Sequence, residues 1–343
     1  MDDTATSTRA DRPEAILHGG DLDAISRRYP DAPRPWLDLS TGINPTPYPL
    51  PTIPPSVWER LPAHSEEEAL NAAAAARYGV GASDNIVAAP GTQALLQLLP
   101  RLRPRSSVAV LTPTYEEHAL CWRRCGHRVD LVEEFDALAD AEVAVVVTPN
   151  NPTGRLLPRD ALVGLAAGLR RRDGLLIVDE AFMDLYPADA SLAVDLPPGT
   201  IVLRSFGKVY GLAGIRLGFA ISSTAIARRL RDELGPWAVS GPSLAIGTAA
   251  LADDDWLQQT RARLARDCLR MDALLDQAGC RVIGGTPLFR LIASSNAADI
   301  AERLARHGIH VRRFPAQPSW LRFGLPGEEP DWQRLAVALG DVA

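Results

Sequence analysis

Three short apolar runs decide most of what this chain can fold into. Val143-Ala144-Val145-Val146-Val147 holds no polar residue, and Leu175–Val178 and Ile201–Leu203 are equally unbroken. A strand with one wet face alternates in polarity. A strand that is apolar at every position must be covered on both faces. Pro158–Arg172, between the first two runs, has a helical pattern with a proline near its first turn. Upstream, Ile86–Ala89 and Val108–Leu111 read as further strands, spaced by helical stretches at Ala94–Leu99 and Tyr115–Cys125. Strands alternating with helices specify an α/β fold with a mostly parallel sheet between two helical layers.

The rest of the chain is organised around that unit. Residues 1–13 are polar and expected to be disordered, and residues 14–55 form an N-terminal arm. Six prolines between 45 and 55 exclude a helix or a central strand there. The arm is therefore extended across a surface, its own or a partner's. Ser65-x-x-Glu68 reads as a capping box for a helix that stops at Gly79. The large domain is expected over 56–235. Beyond it, a helix in part of Trp237–Leu251 and a long one from Asp254 to Ala278 lead into short strands (Leu288–Ile292, His310–Val311, Leu321–Phe323). With helices near 297–307 and 330–340, these make 236–343 a smaller α+β domain.

Composition excludes several function classes. A net charge of −6 argues against a nucleic-acid partner. No apolar run approaches the ~18 residues of a membrane span, and Met1-Asp2-Asp3-Thr4 does not open a signal peptide. A cytoplasmic location is the expectation. Four cysteines are too few for a disulfide framework. His118, Cys121, Cys125 and His127 crowd together, but Cys-x3-Cys is not a common zinc spacing, so they read as structural.

The chemistry-bearing residues follow the strands. Asn151 comes just after Val143–Val147, Asp179 just after Leu175–Val178, and Ser205 to Lys208 just after Ile201–Leu203. In open parallel sheets, ligands bind outside the carboxyl ends of strands. Of 36 basic residues, Lys208 is the one lysine. An arginine keeps its proton and cannot act as a free amine, so Lys208 is the candidate for covalent amine chemistry. A cofactor bound as a Schiff base needs a carboxylate at a pyridinium nitrogen, and Asp179 suits that. It needs a donor to the ring oxygen, for which Asn151 is placed. It needs a phosphate cup, which Gly91, Thr92, Ser205 and Arg216 could form. Tyr115 could cover the ring.

This ordered set resembles the fold-type I pyridoxal-phosphate enzymes of the aspartate aminotransferase superfamily, in the histidinol-phosphate aminotransferase branch. The elements that carry the resemblance are Asn150-Asn151-Pro152-Thr153-Gly154, Asp179-Glu180-Ala181-Phe182 and Ser205-x-x-Lys208 with Arg216-x-Gly218. Within that branch the chain is most similar to the threonine-phosphate decarboxylases of cobalamin biosynthesis. His18-Gly19-Gly20, Leu37 to Pro45 and Gly235-Pro236-Trp237-Ala238-Val239 carry that part. The resemblance implies an aspartate aminotransferase-like fold and pyridoxal 5′-phosphate as cofactor. It also implies a phosphorylated amino-acid substrate and a homodimer in which Tyr48 could reach the neighbour's cofactor phosphate. Lys208 would bond the cofactor and shuttle protons, and Arg322 would hold the substrate carboxylate. His18, Ser40 and Asn44 would lie at the substrate, with Arg313 or its neighbour Arg312 on the phosphate.

Three departures stand out. Phe182 replaces the tyrosine usual in the aminotransferase branch, Asp21 replaces an asparagine, and Leu61 replaces the aromatic of an Arg-Tyr-Pro. The competing reading is an aminotransferase for a phosphorylated amino acid or amino alcohol. Ser205-x-x-Lys208 is also the nucleophile motif of penicillin-binding serine enzymes, but their Lys-Thr-Gly needs a second lysine. A non-catalytic cofactor-binding protein on this fold is the remaining alternative.

Overall fold

The structure, a computed structural model, describes residues 18–340, so the tail expected over 1–13 lies outside it. The arm contributes β1 (Leu37–Leu39). Then follow β2 (Ile86–Ala89), β3 (Ser107–Leu111), β4 (Arg128–Val132), β5 (Val143–Val147), β6 (Leu175–Asp179), β7 (Thr200–Ser205) and β8 (Gly218–Ile221). The last third adds β9 (Arg281–Thr286), β10 (Phe289–Ala293), β11 (Ile309–Arg313) and β12 (Trp320–Gly324).

β2 to β8 form a seven-stranded sheet in the order β2-β8-β7-β6-β5-β3-β4. The apolar runs are covered on both faces, as their composition requires. Ala144 and Val146 belong to one core with Leu162, Leu165 and Leu169 of the helix Arg159–Arg170. Val143 and Val145 belong to the other, with Leu99 and Trp122. Each fully buried valine or leucine contributes about 1.5–3 kcal/mol. The sheet departs from the parallel pattern in one strand: β8 runs antiparallel to both β7 and β2.

The second sheet has the order β1-β11-β12-β10-β9. β1 pairs in parallel with β11, Leu37 beside Ile309 and Leu39 beside Val311, so the arm supplies an edge strand to the small sheet. The two units meet without slack at glycines. Gly285 N–H donates to Thr153 O at 3.1 Å, and a Cβ on Gly154 would overlap Gly285 O.

The helix expected from Ser65 to Gly79 corrects one detail. It spans His64–Tyr78 and starts before Ser65. The side chain that reaches back is Glu66, not Glu68, accepting from Ala63 N at 2.8 Å. Ala63 has no side-chain acceptor with which to reciprocate. The stop holds: Gly79 has φ +67°, the left-handed conformation that glycine tolerates.

Candidate active site

Strand direction brings the site together. β2, β3, β5, β6 and β7 all point their carboxyl ends to one edge. That edge receives Thr92 after β2, Tyr115 after β3 and Asn151 after β5, with Asp179 and Ser205 as the last residues of β6 and β7. Because β8 is reversed, the residue that reaches the edge comes ahead of the strand: Arg216, two positions before Gly218. These six and Lys208 line one cavity of about 310 Å³, together with His18, Ser40, Phe182, Arg312 and Arg322.

Asp179 is buried at the cavity floor, its Oδ2 2.9 Å from His118 Nε2 and its Oδ1 accepting from Ala181 N at 3.0 Å. A carboxylate only accepts, so this contact assigns the histidine hydrogen to Nε2. Lys208 lies on a one-turn helix, Phe206–Val209, that follows β7. Burial, then the positive charges of Arg322 and Arg216, lower its pKa to about 8, with Asp179 opposing. At pH 7.5 roughly a quarter of such an amine is neutral, against about one part in a thousand for an ordinary lysine.

Arg322 is buried between Asn151 Oδ1 and Ser40 O, donating to both, and sits 5.0 Å over the ring of Phe289. Burial and the neighbouring Arg312 push its pKa down to about 9. It stays a cation at neutral pH, but one that an anionic group would relieve. Arg312 stands directly opposite Arg322 across β11 and β12. Tyr115 is pushed up to about 12, by burial and then Glu117. Phe182 packs edge-on against Phe289 at 5.3 Å and brings no hydroxyl.

Several expected residues sit elsewhere. Arg313 is exposed and does not line the cavity; one step along a strand reverses the face, and Arg312 points in instead. Asn44 is buried outside the cavity, with its amide spent on Val209 O, Thr46 N and Arg263. Tyr48 is buried between Tyr210 and Trp256 of its own chain and donates to Asp253 Oδ2 at 3.2 Å. Ser40 reaches the cavity wall, but its hydroxyl accepts from Gly20 N and donates to Asp38 Oδ1. Asp21 turns away and caps the helix Leu22–Arg28 through Ala24 N.

Two polar groups escaped the sequence reading. His118 reads from the sequence as one of a crowd with nearby cysteines, yet it stands behind Asp179, and its spacing of three from Tyr115 is the signal that places it there. Glu117 is buried and joins His18 Nε2 (3.2 Å) to Gln93 Nε2 (3.0 Å), and Gln93 Oε1 accepts from Tyr115. Of the crowded cysteines and histidines, Cys121 is buried and Cys125 exposed, while His127 Nε2 lies 2.9 Å from Pro100 O.

Residues 57–339 match the family model for aminotransferase class I and II, and the chain belongs to that family. The threonine-phosphate decarboxylase of Pseudomonas aeruginosa is 44% identical over 94% of this chain and 97% of its own length. That of a Sinorhizobium species is 43% identical over the same shares. Histidinol-phosphate aminotransferase from Sinorhizobium meliloti, solved with pyridoxal-5′-phosphate, has the same fold, with TM-score 0.81 over 98% of both chains at 23% identity.

The residues present fit a pyridoxal phosphate. Gly91 has φ +82°, and a Cβ there would lie 2.7 Å from Arg216 Nη2, so this guanidinium sits against the start of the helix Thr92–Leu98. Asp179 offers an oriented carboxylate at the floor. Among the described residues no carboxylate lies within ion-pair range of Lys208, which leaves its amine available.

Proposed function

We propose that the protein is a pyridoxal-phosphate-dependent carbon–carbon lyase. It decarboxylates L-threonine O-3-phosphate to (R)-1-amino-2-propanol O-2-phosphate and CO2, for the aminopropanol arm of cobalamin. The observation that carries this reading is the cross-strand pair Arg312 and Arg322, both opening onto the cavity that holds Lys208. Two fixed cations beside one reactive amine suit a substrate with a carboxylate and a phosphate around its amino group. Near full-length similarity to two threonine-phosphate decarboxylases supports the same assignment.

Lys208 would hold the cofactor, with Asp179 at its ring nitrogen, Asn151 at its ring oxygen and Tyr115 over its face. Gly91, Thr92, Ser205 and Arg216 would take its phosphate. When bound, the cofactor supplies an electron sink for the pair left by a bond broken at the substrate α-carbon. Arg322 binds and orients the carboxylate that leaves. Arg312 and His18 bind the substrate phosphate, with Glu117 holding the His18 ring. Lys208 Nζ is placed to deliver a proton to the α-carbon. Phe182 withholds the hydroxyl that its aminotransferase counterpart would bring.

The second reading, an aminotransferase, uses the same residues and differs in which bond at the substrate α-carbon would break; similarity to histidinol-phosphate aminotransferases supports it. The experiment is to give the cofactor-loaded protein threonine phosphate and measure CO2 with and without 2-oxoglutarate. Release that needs no keto acid supports the lyase. Amino transfer without CO2 overturns it. A homodimer belongs to the proposal too. Leu50, Trp58, Leu61 and Trp237 are each more than half exposed, and a partner would cover them. Light scattering that shows a fully active monomer would remove the dimer. Among the described residues no helix is long and apolar enough to cross a membrane.

A further inference from the structure

We propose that Asn44 is a positioning residue for Lys208: the arm closes the end of the lysine's one-turn helix, and Arg263 holds Asn44 in place to do so. This rests on Lys208 being the reactive amine.

A helix of four residues cannot hold its own geometry, because nucleation costs more than one turn returns. Its last carbonyls also lack partners within the helix. Here three consecutive carbonyls at that end are taken by the arm. Lys208 O accepts from Asn44 N, and Tyr210 O accepts from Tyr48 N, both at 2.8 Å. Between them Val209 O accepts from Asn44 Nδ2, also at 2.8 Å. The contact has no play. A Cβ on Gly211 would lie 2.7 Å from both Asn44 O and Pro47 Cα, and Gly211 has φ +68°.

The far end of the Asn44 amide is also fixed. Its Oδ1 accepts from Thr46 N at 3.1 Å and from Arg263 Nη2 at 2.7 Å. Arg263 is on the long helix Asp254–Gln277 and is itself paired with Asp267 at 3.0 Å. The position therefore needs a donor and an acceptor on one short side chain, which asparagine has. Aspartate keeps the acceptor but loses the donor, and sets a carboxylate against Val209 O. The chain that carries Lys208 is thus tied, through one buried amide, to a helix outside the large sheet.

The test uses Asn44→Asp, nearly the same in shape, and Arg263→Met, which leaves both bonds from Asn44 to the lysine's helix in place. Because the protein has one lysine, selective 13C-lysine labelling yields a single side-chain signal, readable without substrate. In the cofactor-loaded protein, Asn44→Asp should lower kcat for threonine phosphate at least tenfold while KM stays within twofold. It should also shift and broaden the Lys208 13Cε signal. Arg263→Met should move both in the same direction, by a smaller factor. A raised KM with kcat retained would mean that Asn44 touches substrate, and would overturn the proposal. So would an unchanged lysine signal in a folded variant. Should Asn44→Asp not fold, Arg263→Met decides by the same two criteria. A wrong substrate assignment would spoil the kinetics but leave the lysine signal able to judge.

Discussion

Replacing Lys208 by methionine should make the cofactor-free protein more stable while abolishing its chemistry. Burial, Arg322 and Arg216 hold the lysine at about 8 instead of 10.5. Each pH unit of such a difference is worth about 1.4 kcal/mol, so the charged ammonium costs the folded state about 3 kcal/mol. The sign follows from the proton count. Between the two values the unfolded chain binds the proton and the folded chain does not, so the wild type gains stability as pH rises from 8 towards 10.5. The whole cost is present below pH 8. Methionine has a similar shape and no charge. Lys208→Met should therefore exceed wild type by about 3 kcal/mol at pH 7, about 2 at pH 9 and less than ~0.5 at pH 10.5 from this term. Better burial of methionine adds an amount that does not depend on pH, so the change in the gap isolates the ionisation. Urea unfolding of both proteins at the three pH values is the assay. A gap that stays constant with pH, or widens as pH rises, would refute the reasoning.

Other expectations are more local. Lys208→Arg keeps the charge without an amine that can lose its proton, so it should fail as completely as Lys208→Ala, and neither should show the absorption band of the cofactor bonded to lysine. Arg312→Ala should raise KM for threonine phosphate at least tenfold, whereas Arg313→Ala, on the other face of the same strand, should leave it within twofold; steady-state kinetics separates them. Gly154→Ala combines φ +74° with a Cβ overlapping Gly285 O, and should lose at least ~2 kcal/mol in denaturant titration. Gly164→Ala, exposed in the helix Arg159–Arg170 with no atom within 4 Å of its Cβ, should gain about 0.5–1 kcal/mol.

Much of this architecture was legible because it is local. Val143–Val147 appears as a strand with the same limits, since a run of β-branched residues has no other stable use in a sheet buried on both faces. Asp179 and Ser205 were legible because strand ends are legible. Residues whose role depends on a partner far along the chain were not. The choice between Arg312 and Arg313 turns on register against β12, which neighbouring residues do not encode. Asn44 is placed at the substrate by the resemblance alone, and its bond to Val209 O spans 165 positions that the local sequence does not connect. His118 was concealed by the cysteines around it. The direction of β8 was unreadable from Gly218-Phe219-Ala220-Ile221, four residues that fit a strand of either sense.

The reversal of β8 also sets the order in which the pocket can assemble. Ser205, Lys208 and Arg216 belong to one connection between two neighbouring antiparallel strands, so they meet when a single short loop closes. Arg322 and Asn151 meet across 171 positions, and Arg322 and Ser40 across 282. Closure entropy grows with separation, so distant pairings come later and are the first lost. Three of the residues that would anchor the cofactor, Ser205, Lys208 and Arg216, thus form a local unit once β7 pairs with β8, while Gly91, Thr92, Tyr115, Asn151 and Asp179 join it from earlier strands. The half that would recognise the substrate anions waits for the small sheet to close on the arm. A chain loosened at its C-terminal end would lose its grip on substrate while keeping its lysine and Arg216 together.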